Sequence, residues 1–266
     1  MYENSGLSQY RICESLFLQV ADSMFLYVTI TEPLRRPWNG GKELWIKLII
    51  GYKNTKVGRA KTMAAALLYQ GHGSVRIVTG EGKVIYIDPF MGDGYDLPAD
   101  LILMTHGHYD HTQDKLIKKR NTGCTVIKWS DALKKGEYKN YDYGFVSIET
   151  VEAGYNKNHN VKECVGFILT FSDGVKAYFS GDTSTTPSMA GFAEKKLDYA
   201  FLCCDGVYNM NVSEASKCSK TIGAKHTIPY HMEPVKDNSG FDINVAERFD
   251  APGKIILKPG EELVLQ

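Results

Sequence analysis

Short apolar runs separated by turn residues recur along the chain after residue 63, and this pattern predicts a β-rich domain. Residues 75–78 and 84–87 flank a Gly-Glu-Gly turn, and residues 166–171 and 176–179 flank a Ser-Asp-Gly turn. Each pair predicts a β-hairpin. Residues 197–204 are apolar almost throughout, which predicts a strand that is buried on both faces.

A similar order of elements occurs twice, once before residue 135 and again after residue 164. Besides the hairpins, the pattern predicts strands at residues 101–104, 124–129, 145–151, 227–229, 255–258 and 262–265. It predicts helices at residues 111–119, 187–195, 213–222 and 241–248. Two mixed sheets packed face to face, with helices outside, would produce such an order.

The beginning of the chain differs from the rest in composition. Basic residues outnumber acidic ones there, and the apolar stretch at residues 16–30 is interrupted by Gln19 and Asp22. That stretch is too short and too polar to span a bilayer, and the start does not resemble a secretory signal. We therefore predict an N-terminal extension of unknown role over residues 1–62 and a main domain over residues 63–266.

The strongest chemical signal is a cluster of metal-binding side chains directly after the predicted strand 101–104. His106, His108, Asp110 and His111 fall within six residues of one another. Imidazole nitrogens and carboxylate oxygens are common ligands of divalent transition metals, and unpaired imidazoles are costly to bury together. In open α/β architectures reactive groups collect at the carboxyl ends of strands, so this position is typical of a functional site.

The pattern His-x-His-x-Asp-His resembles the signature of the metallo-β-lactamase superfamily. The resemblance continues with His159, Asp182 and His231, and it covers roughly residues 67–265. The opening Gly-His-Gly-Ser at residues 71–74 and the closing Ile-Pro-Tyr-His are similar to the branch that includes L-ascorbate-6-phosphate lactonase. This resemblance implies an α+β fold, an αββα sandwich of two mixed β-sheets with helices outside.

The resemblance also implies a ligand set and a reaction. Two divalent metal ions are expected, with zinc favoured and manganese or iron also compatible with mixed histidine and carboxylate ligands. A hydroxide that bridges the two ions would attack a small ester, lactone or phosphodiester, and Asp110 would orient or deprotonate the water. The implied metal ligands are His106, His108 and His159 at one ion, Asp110, His111 and His231 at the other, and Asp182 bridging both.

Several of these positions have alternatives in the sequence. His159 lies in a polar stretch and could instead be an exposed loop histidine. His226 competes with His231 for the last ligand position, although His231 follows the predicted strand and is favoured. His72 could be a packed structural histidine, or it could lie near the metals as a supporting or substrate-binding residue. At most one of the adjacent Cys203 and Cys204 could face the site, because neighbouring side chains on a strand point to opposite faces.

Composition limits the class of partner. The 31 basic residues balance 31 acidic ones, so the net charge offers no general attraction for nucleic acid. The six cysteines include no C-x-x-C pair and several lie in apolar runs, which favours a reduced, cytoplasmic chain. We expect a small-molecule substrate and neither nucleic acid nor membrane as a partner.

Two other enzyme classes are alternatives on the same scaffold. An iron-dependent oxidoreductase is possible because this fold also hosts iron centres, but no flavodoxin-like or rhodanese-like domain is present. A metal-dependent nuclease would need a basic groove and salt-dependent binding to nucleic acid. The chain has no G-x-S-x-G elbow, Walker loop or Rossmann glycine fingerprint, so metal-dependent hydrolysis is the favoured interpretation.

Overall fold

The computed structural model describes residues 16–21, 24–29, 49–54, 64–232 and 240–266. The chain divides into two compact units, residues 1–61 and 62–266. The first unit contains an antiparallel sheet of β1 (Leu16–Ala21), β2 (Met24–Thr29) and β3 (Ile49–Asn54). The predicted division into an N-terminal extension over residues 1–62 and a main domain over residues 63–266 stays a prediction. No helix in the described part of the chain is long and apolar enough to cross a bilayer.

The first large sheet of the second unit has six strands in the order β17-β4-β5-β6-β7-β8. The four strands from β17 to β6 pair antiparallel, and β7 and β8 are added in parallel. The predicted first hairpin is confirmed as β5 and β6. The strands are β4 (Ala65–Gly71), β5 (Ser74–Val78), β6 (Val84–Ile87), β7 (Ala99–Met104), β8 (Arg120–Lys128) and β17 (Glu262–Leu265).

The second large sheet repeats this plan in the order β11-β12-β13-β14-β15-β16, again antiparallel up to the fourth strand and parallel from there. The second hairpin is confirmed as β13 and β14. The strands are β11 (Tyr141–Asp142), β12 (Val146–Glu152), β13 (Val165–Phe171), β14 (Lys176–Phe179), β15 (Tyr199–Cys203) and β16 (His226–Tyr230). A separate small hairpin consists of β9 (Leu133–Lys134) and β10 (Glu137–Tyr138).

Alternate residues of the central strands are buried on opposite faces of the sheet. In β6 and β7, Ile85 and Leu101 belong to the main core, which also contains Phe167 and Phe201 of the second sheet. Tyr86 and its neighbours form a smaller cluster on the other face, against partly buried residues of the following loops. The two sheets therefore share one apolar core, as expected for the predicted αββα sandwich.

The helices among the described residues are few and short. They are α1 (Trp129–Ala132), α2 (Val212–Ile222) and α3 (Ile243–Arg248), and a 3-10 helix covers Pro187–Lys195. The predicted helices at residues 187–195, 213–222 and 241–248 thus have counterparts at nearly the same positions. Asn211 caps α2 by accepting a hydrogen bond from the backbone of Glu214, as expected of asparagine at this position.

The predicted helix over residues 111–119 is wrong. Two 3-10 turns, Tyr109–His111 and Asp114–Leu116, replace it, and β8 begins at Arg120. Between the turns the backbone N–H of Gln113 donates to Pro89 across the chain instead of to a helical carbonyl. The segment buries little apart from His111 and Ile117, so no continuous apolar face would stabilise a longer helix.

The predicted strand at residues 255–258 is also wrong, whereas the closing strand at 262–265 is confirmed as β17. Lys254 makes an isolated bridge with Thr227 beside the second sheet, and β17 pairs with β4 in the first sheet. Residues 255–258 therefore connect the two sheets. A connecting segment of this kind has no neighbouring strand to pair with along its length.

Candidate metal centre

Polar side chains lie directly after the parallel strands of both sheets. Asp88 follows β6, His106 follows β7, Asp182 follows β14, Asp205 follows β15 and His231 follows β16. The carboxyl ends of neighbouring parallel strands meet at one edge of a sheet, which brings these groups together. The shared core of the two sheets then supports a site that draws residues from both halves of the domain.

The loop after β7 places four candidate ligands around a short turn. The 3-10 turn Tyr109–His111 brings Asp110 and His111 back beside His106, whose ring centroid is 4.1 Å from that of His111. The ring centroid of His108 is 4.6 Å from that of His106. His106 and His111 are buried, His108 is exposed and Asp110 is half-buried, so this cluster opens to solvent on the side of His108.

His159 is buried and belongs to the same cluster, so the exposed-loop alternative is wrong. The Asn156 side-chain oxygen accepts hydrogen bonds from the backbone of Asn158 and His159 and lies 3.2 Å from His159 Nδ1. This bonding turns His159 Nε2 inward, where it lies 3.2 Å from His108 Nδ1.

Asp182 lies between two groups of histidines. Its Oδ1 is 3.4 Å from His111 Nε2 and 3.2 Å from His231 Nε2. Its Oδ2 is 3.2 Å from His159 Nε2 and 4.0 Å from His106 Nε2. One carboxylate therefore presents a different oxygen to each group, which is the arrangement needed to bridge two cations.

The residues present fit divalent cations. In the described part of the chain, the nitrogens Nε2 of His106, His111 and His231, and Asp182 Oδ1, are buried without a hydrogen-bond partner. Buried polar atoms are normally hydrogen-bonded, so a group of them that converges on one space requires another partner. Cations would supply that partner for all four atoms at once.

The electrostatics of the cluster without cations agree with this fit. Burial opposes ionisation of Asp182, but His231 and His111 hold the pKa of its carboxyl well below the usual value. Burial would lower the pKa of His111, but Asp182 and Asp88 raise it to about 9. Burial and neighbouring His111 hold the pKa of His106 well below its usual value, so this imidazole is neutral and able to coordinate. Without cations, a protonated His111 thus supplies positive charge beside Asp182.

His231 is favoured over His226 by the geometry of β16. His226 begins the strand, and its ring stacks on Tyr199 with a centroid separation of 5.3 Å. His231 follows the last residue of the strand and is buried against Asp182. The two histidines therefore lie at opposite ends of one strand, and only His231 is at the edge where the other candidate ligands meet.

Sequence reasoning missed Asp88, which is a buried hub of hydrogen bonds. It accepts hydrogen bonds from the backbone and hydroxyl of Thr105, and its Oδ2 lies 2.8 Å from His111 Nδ1. Because the Thr105 hydroxyl donates to Asp88, it accepts from His106 Nδ1, 3.1 Å away. His106 Nε2 is then free of a proton and faces the centre. The available signal is an aspartate that follows an apolar strand, and the sequence offers it for Asp88 as well as for Asp182.

Sequence reasoning also missed Asp205. Its side chain is fully buried, and Oδ2 lies 3.5 Å from His231 Nδ1. Its other oxygen accepts hydrogen bonds from the backbone of Val207 and Tyr208, which fixes the loop after β15. The preceding cysteines do not join the ligand set, because Cys203 Sγ and Cys204 Sγ contact the backbone oxygens of Thr183 and Tyr230.

His72 lies inside the site. It is 1% exposed, and its Nε2 is 3.0 Å from Asp110 Oδ2. Its ring centroid lies 3.7 Å from that of His231. Of the two alternatives for His72, the structure supports a position near the metal site, because His72 contacts the candidate ligands Asp110 and His231.

Comparison with known proteins agrees with this arrangement. The sequence profile of the beta-lactamase superfamily domain matches residues 66–231, which include every candidate ligand. The chain belongs to the metallo-β-lactamase superfamily. Within this superfamily the chain is similar to proteins named UPF0173 metal-dependent hydrolase. The relative from Geobacillus sp. strain WCH70 is 32% identical over 74% of this chain and 98% of its own length. The relative from Rubrobacter xylanophilus is 28% identical over 74% of this chain and 95% of its own.

A solved structure shares the fold of this chain. Igni18, described as a metallo hydrolase from the archaeon Ignicoccus hospitalis, superposes with a TM-score of 0.60 at 22% identity. The match covers 76% of this chain and 99% of that protein. The predicted metallo-β-lactamase sandwich is confirmed. The narrower resemblance to L-ascorbate-6-phosphate lactonase stays a prediction.

Proposed function

We propose that this protein is a hydrolase that uses two divalent cations to cleave a small ester, lactone or phosphodiester. The observation that carries the proposal is the position of Asp182, whose two oxygens face separate histidine groups with unbonded inward nitrogens. Similar proteins named metal-dependent hydrolases support the same reaction class.

In this proposal the site has two halves that share Asp182. Divalent cations held by these residues would supply hydroxide at physiological pH, because a bound cation lowers the pKa of water toward neutrality. Zinc is the favoured metal, and manganese or iron also suits mixed imidazole and carboxylate ligands. We define the three-histidine site as His106, His108 and His159, and the aspartate site as Asp110, His111 and His231.

Asp110 is the residue best placed to orient the attacking water. Burial opposes its ionisation, but the His72 hydrogen bond and neighbouring His111 hold the pKa of the carboxyl below its usual value. Asp110 is therefore an ionised acceptor at neutral pH. It also stands at the half-open side of the cluster, beside exposed His108, where a substrate can approach.

The surroundings of the site favour a small molecule as substrate. A shallow, open depression of about 440 Å³ lies along the loop of residues 155–161 and includes His159 in its lining. Exposed Tyr109 and Tyr208 flank the loops that carry the ligands. The balanced net charge offers no general attraction for a polyanion. Five described cysteines are free thiols, four of them buried, which supports a cytoplasmic location.

The proposal is tested by measuring metal content and turnover together. Freshly purified protein would be analysed for bound metal and assayed against lactones, carboxylic esters, thioesters and phosphodiesters. The double variant His108→Ala/Asp182→Asn removes one ligand of the three-histidine site together with the shared carboxylate. It should lose most bound metal and lower kcat/KM at least 10³-fold, on the order of a lost catalytic group.

The matched control is His226→Ala, which removes a histidine from the opposite end of β16 and should retain both metal and turnover. Full activity of the wild-type protein after removal of its metal would contradict the proposal. Full activity of the double variant would contradict it equally.

A further inference from the structure

The histidines of the three-histidine site are held by neutral groups. His106 Nδ1 lies 3.1 Å from the Thr105 hydroxyl, and His159 Nδ1 lies 3.2 Å from the Asn156 side-chain oxygen. His108 is exposed to solvent. Apart from the shared Asp182, no carboxylate in the described part of the chain contacts these three rings directly.

Each histidine of the aspartate site has a buried carboxylate beside its Nδ1, hydrogen-bonded in the case of His111 and at a longer separation without a hydrogen bond in the case of His231. His111 Nδ1 lies 2.8 Å from Asp88 Oδ2, and His231 Nδ1 lies 3.5 Å from Asp205 Oδ2. The side chains of Asp88 and Asp205 are almost fully buried. A carboxylate behind a ligating imidazole fixes its tautomer and raises its basicity, which strengthens coordination.

Asp110, the carboxylate of this site, is held by His72. The Asp110 side chain is 31% exposed, so solvent alone would let it rotate. His72 Nε2–H donates to Asp110 Oδ2 at 3.0 Å, so Oδ1 stays available as a ligand. His72 Nδ1 is then unprotonated, in agreement with its buried position without a partner.

The backbone of His72 is itself fixed in an uncommon conformation. Its φ of 50° lies in the left-handed region, which a histidine adopts only when its surroundings impose it. Its carbonyl accepts hydrogen bonds from the backbone of His231 and from the Tyr69 hydroxyl, each at 3.0 Å. Gly240 packs against its backbone so closely that an added Cβ would lie 2.6 Å away. The donor to Asp110 is therefore held in place before any cation binds.

From these contacts we propose that the two cation sites are unequal, and that the aspartate site binds its cation first and more tightly. His72 is a positioning residue of that site, acting through Asp110. The inference rests on the cation pair of the proposed function. Its physical cause is charge as well as rigidity, because Asp88 and Asp205 lie directly against histidines of the aspartate site and Asp110 belongs to it, so this site has more negative charge close by.

The inequality should depend on the metal. Imidazole ligands suit zinc, whereas carboxylate ligands also suit manganese. The three-histidine site therefore loses more affinity than the aspartate site when manganese replaces zinc. The ratio of the two dissociation constants should be larger for Mn²⁺ than for Zn²⁺.

The test is a binding titration that does not require turnover. Chelator-treated protein would be titrated with Zn²⁺ and Mn²⁺ against a chromogenic chelator, and the number of bound ions per chain read by native mass spectrometry. We expect two steps with dissociation constants at least tenfold apart. His108→Ala should remove the weaker step alone, and Asp110→Asn should weaken the tighter one.

His72 is tested in the same titration. His72→Leu should weaken the tighter step by 10–100-fold, the range found for lost partners of metal ligands. His72→Gln, whose amide can still donate, should recover most of that loss, and His226→Leu is the matched control for removal of a histidine. Thermal unfolding checks that each variant folds, and the wild-type, His108→Ala and Asp110→Asn titrations decide the inequality even if His72→Leu does not fold.

Equal dissociation constants, or loss of the tighter step in His108→Ala, would overturn the inference. An unchanged tighter step in His72→Leu would overturn the role of His72. Two unequal steps in a protein that hydrolyses nothing in the substrate panel would leave this inference standing and refute the proposed function. Turnover in a protein with two equal binding steps would support the proposed function and refute this inference.

Discussion

At the scale of single residues, the site depends on two buried carboxylates, Asp182 and Asp88. Asp182 lies between the histidine groups, and Asp88 lies behind them, with three hydrogen-bonding contacts to Thr105 and His111. Through the Thr105 hydroxyl, Asp88 also orients His106. One carboxylate thus positions a histidine of each cation site.

Asp88→Asn is expected to weaken both cation sites. The asparagine oxygen can still accept hydrogen bonds at one position, but the NH₂ group at the other position cannot accept any. Thr105 and His111 therefore lose hydrogen-bond acceptors. We expect metal affinity to fall about 10–100-fold and unfolding free energy to fall by about 3 kcal/mol. Chelator competition and chemical denaturation would measure these changes. Asp96→Asn, at an exposed carboxylate, is the control and should change neither.

The sequence located the candidate ligands better than it located the residues that hold them in place. The seven candidate ligands stand in a recognisable spacing, and the structure brings all seven together. The contacts made by Asp88, Asp205 and His72 join residues that lie 23 to 38 positions apart in the chain. No local sequence pattern marks such contacts. The sequence marks His72 through its Gly-His-Gly-Ser context, but its partner Asp110 is determined by the fold of the turn after β7.

At the scale of elements, the strands that carry the site were predictable and the turns between them were not. Apolar runs such as β7 and β15 are buried on both faces, so composition alone marks them. The segment after His111 lacks that signal, because its polar residues are compatible with a helix in isolation. Tertiary hydrogen bonds, such as that from Gln113 to Pro89, decide its conformation instead.

The connection from β14 to Asp182 depends on Gly181. Its φ of 59° is unfavourable for other residues, and an added Cβ would lie 2.8 Å from Thr105 Cβ. Gly181→Ala is therefore expected to displace Asp182 or Thr105, to lower unfolding free energy by roughly 2–4 kcal/mol and to lower metal content. Thermal unfolding and elemental analysis would measure both effects.

Gly174 provides the matched control for this change. It has a φ of 93° in the turn of the second hairpin, and an added Cβ there would meet nothing within 4 Å. Gly174→Ala should show only the backbone cost, about 1 kcal/mol, with unchanged metal content. If the two variants lost equal stability and both kept their metal, the close approach to Thr105 would have no role.

At the scale of the whole molecule, the two large sheets repeat one plan, with three antiparallel pairings followed by two parallel ones. In each sheet the fourth strand is followed by a buried aspartate, Asp88 after β6 and Asp182 after β14. The two aspartates differ in role because Asp88 bonds Thr105 and the outer nitrogen Nδ1 of His111, whereas Asp182 faces the inward Nε2 atoms of four histidines. The apolar periodicity predicted the repeated elements, but not this difference.

The metal-free molecule is expected to lose stability as pH rises. His111 has its pKa raised to about 9 in the fold, so its contribution is fully present below pH 6.5 and is lost as pH passes about 9. The raised pKa of His231 acts in the same direction. Chemical denaturation of chelator-treated protein should give a lower unfolding free energy at pH 9 than at pH 6, by up to about 3 kcal/mol. His111→Asn should flatten this dependence, and a rise in stability between these pH values would contradict the prediction.

The candidate ligands are divided between the two halves of the sandwich, with four from the loop after β7 and three from the second half. A cation pair held by both halves would act as a cross-link between them, and the five cysteines that the structure describes are free thiols. Binding to the folded chain alone stabilises it in proportion to the logarithm of free metal concentration. The amount of intact protein in a cell would then follow the supply of its metal, because unloaded chains unfold more often and are degraded sooner.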